Sequence, residues 1–509
     1  MKYYFERFDW YRVNDRCFVI GQLFDGDTGQ YYEGQELLAY FSDVQSKQIF
    51  VEKLYRANGH FAVVLQLPDG RWLAAVDRLR ARPLFYSCID QEIFVADSAY
   101  CLADHMPNQI DDLLAQSCYW ETGWVAGQDT YYQGIKQLAA GQYLEVQDNT
   151  IIKIQRYAAK ISLKHDANWP DLWQQCDTVS QQVFDRLWQV LRGRTAVVPL
   201  SAGWDSRYIL TELKKRNYAN VICFSYGEPN QHEWRIAKHI AQKFGYPFYY
   251  VPYRNYSELA EVVQLKAYLK YGYHYANLPH IQDFFAVAYL HRKQLLPKDS
   301  VFLPGHSGDF LGGSWLRKQI KRMPDNMPWP ERVWQQHCIG LDTTDKSSLL
   351  RYFEASLPIE PEASSLPDIL LAEYFNMMNR QSKFIVNAVR VYEFFGYDWY
   401  LPLWDGELVE FWQSMPLVYR TDKLLYRQYL HARFGEFAVT DCQLKVTNLA
   451  YWCVLPTMCY RRFRQPTGWQ WQRLIEYLRS LLPRNQAIPK TKDMNLLLRY
   501  VLQQRVLQS

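Results

Sequence analysis

The sequence has no stretch of about 18 uncharged apolar residues, the length that a helix needs to cross a bilayer. Residues 1–6 carry charges where a secretory signal needs an apolar segment. The ten cysteines include no Cys-x-x-Cys pair and follow no regular spacing. These absences predict a protein of the reducing cytoplasm, with neither a membrane span nor a zinc site.

An excess of charge of one sign is also missing. Lys and Arg number 57 against 53 Asp and Glu, a net charge of +4 over 509 residues, which argues against nucleic acid as a partner. The basic excess is concentrated in residues 461–505, where ten Lys or Arg stand against two acidic residues. A solvated basic face on C-terminal helices is the favoured interpretation, and contact with an anionic membrane surface or an acidic partner is the alternative.

The first positive signal is the segment PLSAGWDSR at residues 199–207, which follows the apolar, β-prone residues 196–198 and precedes an amphipathic segment. Small residues between a strand and a helix let a phosphate approach backbone N–H groups, and the helix N-terminus adds partial positive charge. Asp205 could hold Mg²⁺ against such phosphates. The Gly-Lys-Ser/Thr ending of a Walker loop is absent. An ordinary Ser/Gly helix cap is the alternative interpretation.

A second segment of this kind is VFLPGHSGDFLGG at residues 301–313, where a short apolar strand again leads into a glycine-rich turn with one Asp, Asp309. Magnesium keeps several waters and takes one or two carboxylates together with phosphate oxygens. Two strand-end loops that each offer a carboxylate therefore suit Mg²⁺–ATP. Helix N-capping is the alternative role for Asp205 and Asp309.

Both loops resemble known ATP-binding segments. Residues 199–207 are similar to the SGGxDS pyrophosphate loop of ATP pyrophosphatases, and residues 301–313 to the SGEGSDElfGGy segment of asparagine synthetases. The chain therefore resembles the asparagine synthetase family, class B-like, to which β-lactam synthetases and lasso-peptide cyclases are related. The resemblance implies an amide-forming, AMP-producing ligase that uses ATP and Mg²⁺, with Asp205 and Asp309 as metal ligands.

The resemblance also implies further site residues. Those expected to bind the nucleotide are Leu200, Ser201, Ala202, Gly203, Asp205, Ser206, Ser225 and Gly305. Ala202 replaces the family's second glycine, and because Ala disfavours positive φ, a slightly altered loop is expected. His306 stands where asparagine synthetases carry Glu and β-lactam synthetases Tyr, so it is a candidate base for the acceptor amine, or else a structural histidine. Lys445 aligns with the family's late catalytic lysine, with Lys490 or Lys492 as alternatives.

The N-terminal half reads as β-rich, with apolar runs broken by Gly, Asp and Pro turns. Residues 76–86, VDRLRARPLFY, resemble the family's RDRxGxkPLyY strand pair, in a half that is a glutaminase releasing ammonia. That activity needs a cysteine directly after the initiator Met, where this chain has Lys2, and Cys17 is the nearest cysteine. We therefore expect residues 1–157 to be a degenerate glutamine amidotransferase type-2-like domain without glutaminase activity.

The predicted fold class is α/β: an N-terminal Ntn-hydrolase-like α+β sandwich, followed at residues 158–509 by a doubly wound ATP-pyrophosphatase-type domain with a helical C-terminal part. From residue 195, strands and helices alternate, which indicates a parallel sheet with ligands at the carboxyl ends of its strands. Farther on, Asp405 falls in a family segment where it is usually structural, and Arg427 matches the family's KxllR segment.

The favoured function is an ATP-dependent ligase that adenylates a small-molecule carboxylate and lets an amine donor displace AMP. No nucleic acid is expected, and a homodimer is the expected assembly if the chain self-associates. Two alternatives stay open. One is a lactam- or amide-forming tailoring enzyme or cyclase, favoured by His306. The other is a non-catalytic nucleotide-binding homologue, favoured weakly by Ala202 and the missing nucleophile.

Overall fold

The computed structural model of the protein describes residues 1–157, 168–227, 229, 233–253, 259–338, 345–357 and 366–435. Within these ranges no helix is both long and apolar enough to span a bilayer. Lys445, Lys490, Lys492 and the basic segment at residues 461–505 lie outside the described residues.

Two β-sheets and four helices form the N-terminal part. Its strands are β1 (Lys2–Tyr4), β2 (Tyr11–Val13), β3 (Cys17–Asp25), β4 (Tyr31–Glu33), β5 (Ala57–Gln66), β6 (Trp72–Val76), β7 (Phe85–Ile89), β8 (Glu92–Ala96), β9 (Ile135–Gln137), β10 (Gln142–Gln147) and β11 (Thr150–Arg156). Its helices are α1 (Gly34–Ser42), α2 (Lys47–Arg56), α3 (Ala99–His105) and α4 (Leu113–Thr122). A seven-stranded sheet has the order β11-β10-β6-β5-β3-β2, with β4 paired to β3, and a four-stranded sheet has the order β1-β8-β7-β9.

The two sheets pack face to face, with helices on the outside. Ile20 and Val64 of the larger sheet share a buried cluster with Val95 of the smaller one. The next residues along β3 and β5 point the other way, because side chains alternate along a strand. There Val19 packs in a second cluster with Leu37 of α1. The resulting order of layers, helix–sheet–sheet–helix, is the predicted α+β sandwich.

A five-stranded parallel sheet forms the core of the C-terminal part. After α5 (Trp169–Leu191) come β12 (Ala196–Pro199), α6 (Trp204–Lys215), β13 (Val221–Gly227), α7 (Glu233–Phe244), β14 (Phe248–Pro252), α8 (Leu259–Gly272), α9 (Phe284–Arg292) and β15 (Val301–Phe302). The last strand of this sheet is β16 (Asp398–Trp399), and the strand order is β14-β13-β12-β15-β16. The chain builds outward from β12 in one direction and then returns to its other side with β15. The carboxyl ends of β12 and β15 therefore form the topological switch point, where open α/β sheets bind ligands.

The remaining described residues are mainly helical. They form α10 (Gly308–Leu311), α11 (Ser314–Arg322), α12 (Trp329–His337), α13 (Lys346–Ser356), α14 (Asp368–Asn376), α15 (Arg390–Phe394), α16 (Gly406–Ser414), α17 (Leu417–Arg420) and α18 (Leu424–Phe434). A π-helix at Met377–Ile385 and a 3₁₀ helix at Val386–Val389 connect α14 to α15. These elements carry three side chains of the candidate site, which are Asp309 on α10, Tyr426 on α18 and Gln381 on the π-helix.

The two parts of the chain are joined by buried polar contacts. The ammonium of Lys383, on the π-helix, donates to the carbonyls of Val125 at 2.8 Å and Gly127 at 2.5 Å. Asn58 of β5 accepts a hydrogen bond from the N–H of Gly406 at 2.8 Å. Because each contact satisfies a polar group that would otherwise be buried without a partner, these bonds favour one fixed junction.

The fold class predicted from the sequence is confirmed. The alternation of strands and helices expected from residue 195 runs from β12 to β15, and the β-rich pattern expected in the N-terminal half is β1 to β11. The two-residue strand β16 and the π-helix were not predicted, because neither has a periodic pattern of its own. The domain boundary between residues 157 and 158 stays a prediction, since the described residues stop at that point.

Candidate functional site

The first loop of the site joins β12 to α6. Its hydroxyl groups organise the backbone: Ser201 Oγ accepts the N–H of Gly203 at 3.0 Å, and Ser206 Oγ accepts the N–H of Ser201 at 3.2 Å. Gly203 is the N-cap of α6 and provides no side-chain acceptor for the first-turn N–H groups. Ser201 and Gly203 are exposed. The loop therefore presents a helix N-terminus to solvent, as an anion-binding loop must.

Alanine at position 202 fits this loop without backbone strain. Ala202 is absent from the residues with positive φ, so the position does not need the left-handed conformation that favours glycine. Leu200 is buried at the end of the strand, and its N–H donates to Phe224 O at 2.8 Å. The replacement of the family's second glycine thus leaves the path of the loop intact.

The second loop runs from β15 to α10 and touches the first. A Cβ at Gly305 would lie 2.7 Å from the backbone N of Ser206, and a Cβ at Gly308 would lie 3.1 Å from Cγ of Asp205. Both distances are shorter than ordinary carbon contacts, so only glycine permits this approach. Ser307, between them, has a φ of +63°. The glycines of the GHSG segment therefore set the spacing of the two loops.

The contact between the loops brings the two predicted metal ligands together. Asp205 Oδ2 accepts the backbone N–H of Asp309 at 2.9 Å, and Asp205 Oδ1 accepts the hydroxyl of Tyr426 at 2.6 Å. Burial, together with the charge of Asp309, raises the pKa of Asp205 to about 7. Two carboxylates that repel each other in a low-dielectric site suit a cation.

The carboxylates of Asp205 and Asp309 form a pair, not a larger cluster of metal ligands. No group of three or more His, Cys, Asp and Glu side chains is arranged for a metal among the residues that the structure describes. A structural zinc site needs about four such ligands, whereas Mg²⁺ takes one or two carboxylates and fills its shell with water and phosphate oxygens. Asp205 and Asp309 fit Mg²⁺ on that ground.

Helix α18 closes the site from the C-terminal side, through contacts that the sequence did not predict. Tyr426 packs so closely on α10 that a Cβ at Gly312 would lie 2.6 Å from its ring, and a Cβ at Gly313 would lie 2.1 Å from Arg420 O. Arg420 is buried and forms a bidentate pair with Glu373 at 2.6 and 2.9 Å. In the sequence, the Gly-Gly ending of the second loop indicates this close packing, because a Cβ at either glycine would overlap its neighbours.

A basic residue close to the carboxylate pair is Lys423, whereas Arg427 of the same matched segment faces solvent. Arg427 is exposed, whereas its neighbour Tyr426 reaches Asp205. Lys423, at the N-cap of α18 with a φ of +58°, is close enough to lower the pKa of Asp205. Lys423 is thus a cation beside the carboxylate pair that the sequence analysis did not single out, and Lys445 lies outside the described residues.

A histidine pair lies on the other side of the second loop. Burial lowers the pKa of His306 to about 4 and, together with the nearby His306, that of His280 to about 3. Nδ1 of each ring is buried without a hydrogen-bond partner among the described residues. Ser307 donates to Gln381 Oε1 of the π-helix at 2.5 Å, which ties this side of the loop to the helical part. Both imidazoles are therefore neutral near pH 7 and could accept a proton.

The remaining predicted residues take outer positions. Ser225 is buried near the carboxyl end of β13, the strand next to β12. Asp405 is buried as the N-cap of α16 and accepts two hydrogen bonds from Arg186 at 2.7 and 2.8 Å. The structure thus gives Asp405 the structural role that the sequence analysis expected.

Cys17, the cysteine nearest to the position of the family's nucleophile, lies inside a core. It is 4% exposed at the start of β3, in the cluster between the seven-stranded sheet and α1–α2. Burial raises the pKa of its thiol to about 12. A thiol that stays protonated and has no access to solvent cannot serve as a nucleophile.

Comparison with known proteins bears on the N-terminal part. Residues 46–158 match the family model of a glutamine amidotransferase domain, the type of domain that precedes the synthetase half in asparagine synthetase-like proteins. A search of the curated proteins finds no match for the chain. The matched region runs from α2 through β11 and includes neither loop of the candidate site. Residues 46–158 are therefore similar to an amidotransferase-type domain.

Proposed function

We propose that the protein is an ATP-dependent ligase that joins a substrate carboxylate to an amine and releases AMP and pyrophosphate. The observation that carries the proposal is the contact of two strand-end loops at the switch point of the parallel sheet, with Asp205 and Asp309 hydrogen-bonded at 2.9 Å. Binding sites in such sheets form at this point. The amidotransferase-type similarity of residues 46–158 agrees with a ligase of the asparagine synthetase kind.

Each part of the site has a role in this chemistry. The uncapped N–H groups in the first turn of α6 would bind the β- and γ-phosphates, and Asp205 with Asp309 would hold Mg²⁺, which offsets phosphate charge. Attack of the substrate carboxylate on the α-phosphorus forms an acyl-adenylate and expels pyrophosphate. The amine then attacks the acyl carbon, and AMP leaves. Lys423, near Asp205, supplies fixed positive charge where negative charge accumulates.

His306 is the proposed base for the amine. A reacting amine must lose a proton as the amide forms, and a neutral imidazole is an acceptor for it. Burial lowers the pKa of His306 to about 4, which keeps the ring neutral near pH 7 and makes it a weaker base than a solvent-exposed imidazole. His280 beside it is also neutral and is a second acceptor for that proton.

The N-terminal domain is proposed to have no glutaminase activity. Cys17 is buried away from solvent, and the side chains of Tyr3, Phe5 and Trp10 pack over the cluster between the two sheets. Their rings stack, with centroids 5.5 Å apart for Tyr3 and Phe5 and 4.3 Å apart for Phe5 and Trp10. The amine donor would then be free ammonia or an amine on a second substrate.

The test is pyrophosphate release from Mg²⁺–ATP by the purified full-length protein. Aspartate with ammonium, aspartate with glutamine, and a panel of sugar acids and peptides are the substrates. We expect Asp205→Ala and Asp309→Ala to lower release by about a hundredfold or more, since each removes a charge that acts on the phosphates. Asp299→Ala is the matched control, because Asp299 is exposed and precedes β15 at the opposite edge of the sheet. Equal loss in all three variants, or no release with any substrate, would contradict the proposal.

One observation favours a second candidate, a lactam- or amide-forming tailoring enzyme or cyclase. The position of His306 carries Glu in asparagine synthetases and Tyr in β-lactam synthetases, so the acceptor side differs from both. Pyrophosphate release with a sugar acid or peptide, but not with aspartate and ammonium, would favour this tailoring enzyme or cyclase. Pyrophosphate release with aspartate and ammonium would favour the ligase of the asparagine synthetase kind.

A further inference from the structure

A second group of charged side chains lies where the two parts of the chain meet. We call Arg7, Arg80, Arg82 and Arg390 the arginine cluster. Their guanidinium groups surround three aromatic rings: Arg82 is 4.7 Å from the centroid of Trp399, Arg390 is 5.7 Å from that of Phe8, and Arg80 is 5.4 Å from that of Phe85. Stacked guanidinium groups remain fully charged, so this is a concentration of positive charge inside the protein.

One carboxylate neutralises only part of the cluster. Glu393 pairs with Arg82 and, at 2.8 Å, with Arg390. Two other buried carboxylates are nearby, but their oxygens already accept hydrogen bonds from backbone N–H groups. Asp77 accepts the N–H of Leu79 at 2.8 Å, as well as three further backbone N–H groups, and Asp97 accepts those of residues 6–8 and the Trp10 indole. Neither Arg7 nor Arg80 has a carboxylate within hydrogen-bond distance among the described residues.

The donors left over lie around the ring of Phe85, because the Arg80 guanidinium is 5.4 Å and the His274 ring 5.2 Å from its centroid, and Arg7 bonds His274. Nε and Nη2 of Arg80, a residue that is 4% exposed, reach no acceptor in the described part of the chain, and the same holds for Nε and Nη2 of Arg7. Arg7 Nη1 bonds Nδ1 of the buried His274 at 3.3 Å, so Nε2 of the neutral ring carries the proton. That Nε2 also has no partner. Buried guanidinium donors without acceptors are strongly disfavoured, so the arrangement calls for an acceptor.

The backbone of Arg80 adds an independent observation. Its φ is +57°, a left-handed conformation that favours glycine, and Arg80 stands where the RDRxGxkPLyY motif carries glycine. Residues held in such conformations persist where the surroundings require them, often at ligand sites. The chain therefore places a charged side chain at a position where the backbone conformation favours glycine.

We propose that Arg7, Arg80 and His274 bind a small oxyanion, a carboxylate or a phosphate group, in the junction between the two parts of the chain. Guanidinium groups bind these anions in a bidentate way, and the His274 N–H supplies a further donor. One bound anion would satisfy the orphaned donors and offset the positive excess together. The proposal rests on the junction alone and does not depend on the ligase reaction.

The experiment is equilibrium dialysis of the full-length protein with labelled inorganic phosphate and, separately, labelled acetate at constant ionic strength. We expect saturable binding of at least one of them, and about tenfold or greater weakening in Arg80→Gly, because that variant loses charged hydrogen bonds. Arg80→Gly also relieves the left-handed backbone strain, so the variant should fold. Arg80→Lys is the second variant, because it keeps the positive charge but loses the bidentate N–H groups of the guanidinium. Arg78→Gly is the matched control, since Arg78 lies on the same turn and pairs with Glu410 instead.

Hydrogen exchange locates the anion, because phosphate could also bind the loop at residues 200–206. Slower amide exchange in residues 5–10, 78–86 and 270–275 on adding the anion supports the proposal. Binding of phosphate alone or of acetate alone also supports the proposal, and it decides whether the site binds a phosphate group or a carboxylate. The proposal is overturned if neither anion binds saturably, if Arg80→Gly and Arg80→Lys bind as the natural protein does, or if slower exchange is confined to residues 200–206.

Discussion

The carboxyl edge of the parallel sheet and the inter-sheet face of the N-terminal sandwich are built from opposite kinds of residue. At the sheet edge, Ser201 and Gly203 are exposed, and glycines let two loops approach within contact. Over the sandwich, the aromatic residues Tyr3, Phe5 and Trp10 pack on the core and on one another. One region leaves the N-terminus of α6 without a side-chain cap, and the other covers its surface with side chains.

This difference shows that a fold alone does not make a site. Both regions have the layers that the sequence predicted, and residues 46–158 match an amidotransferase-type domain. Of the two regions, the sheet edge combines an uncapped helix N-terminus with paired carboxylates, groups that suit phosphate binding. The variants below test whether the sheet edge is the working region and the sandwich a supporting one.

The largest expected effect comes from the ion pair that holds the second loop. Glu373→Ala leaves the buried guanidinium of Arg420 without its carboxylate, and such a loss costs about 3–5 kcal/mol of unfolding free energy. In the N-terminal part, Glu92→Ala breaks the pair with Lys2, where both side chains are more than a third exposed, so solvent screens the pair and the loss of unfolding free energy should be far smaller. Urea unfolding of both variants makes the comparison. Similar losses in the two would show that the buried pair does not hold the site.

The second effect tests the contact between the two loops. Gly305→Ala places a Cβ 2.7 Å from the backbone N of Ser206, so the loops must separate and the phosphate-binding N–H groups must shift. We expect Mg²⁺–ATP binding to weaken by about 10- to 100-fold, the value of one or two charge-assisted hydrogen bonds. Isothermal titration calorimetry provides the measurement.

Its control is Gly245→Ala in the same part of the chain. Gly245 has a φ of +75° but no atom within 4 Å of an added Cβ, so that variant should lose stability without losing nucleotide affinity. Equal affinity in Gly305→Ala and the natural protein would show that the loops do not bind phosphate together.

The two loops could be predicted from the sequence because each is a local pattern. A short apolar strand, a run of small residues and an Asp at the start of a helix occur within nine residues or so, and parallel strands place their carboxyl ends at one edge. The contacts that complete the site are not local. Tyr426 reaches Asp205 across 221 residues, and no periodicity reports which face of a distant helix will meet a loop.

Packing across the fold also decides which residue of a matched segment faces the site. Arg427 matches the family segment and is exposed, whereas the adjacent Tyr426 bonds Asp205, because packing against Gly312 sets the rotation of the helix. Ala202, expected to alter its loop, has no positive φ and fits its position without backbone strain. Matching a motif finds the segment, and packing decides which of its residues matter.

The third effect separates the carboxylate pair from ordinary surface acids. Asp205 has its pKa raised from 3.8 to about 7, so the ligand-free fold favours the protonated acid. Its stabilising contribution is full at low pH and is lost as pH rises through about 7. We expect the natural protein to lose about 1.4 kcal/mol more between about pH 6 and about pH 8 than Asp205→Asn does. Urea unfolding at the two pH values measures this, and parallel losses in the two proteins would contradict it.

The smallest expected effect is at Cys17, where the sandwich should prove inert. Cys17 is 4% exposed, and burial raises the pKa of its thiol to about 12, whereas Cys88 is exposed. Iodoacetamide should therefore alkylate Cys88 and leave Cys17 unmodified in the folded protein, as peptide mass spectrometry can show. Cys17→Ala should leave pyrophosphate release unchanged and ammonia release from glutamine absent. Rapid alkylation of Cys17, or ammonia release that this variant abolishes, would make the sandwich a second working region and end the contrast with the sheet edge.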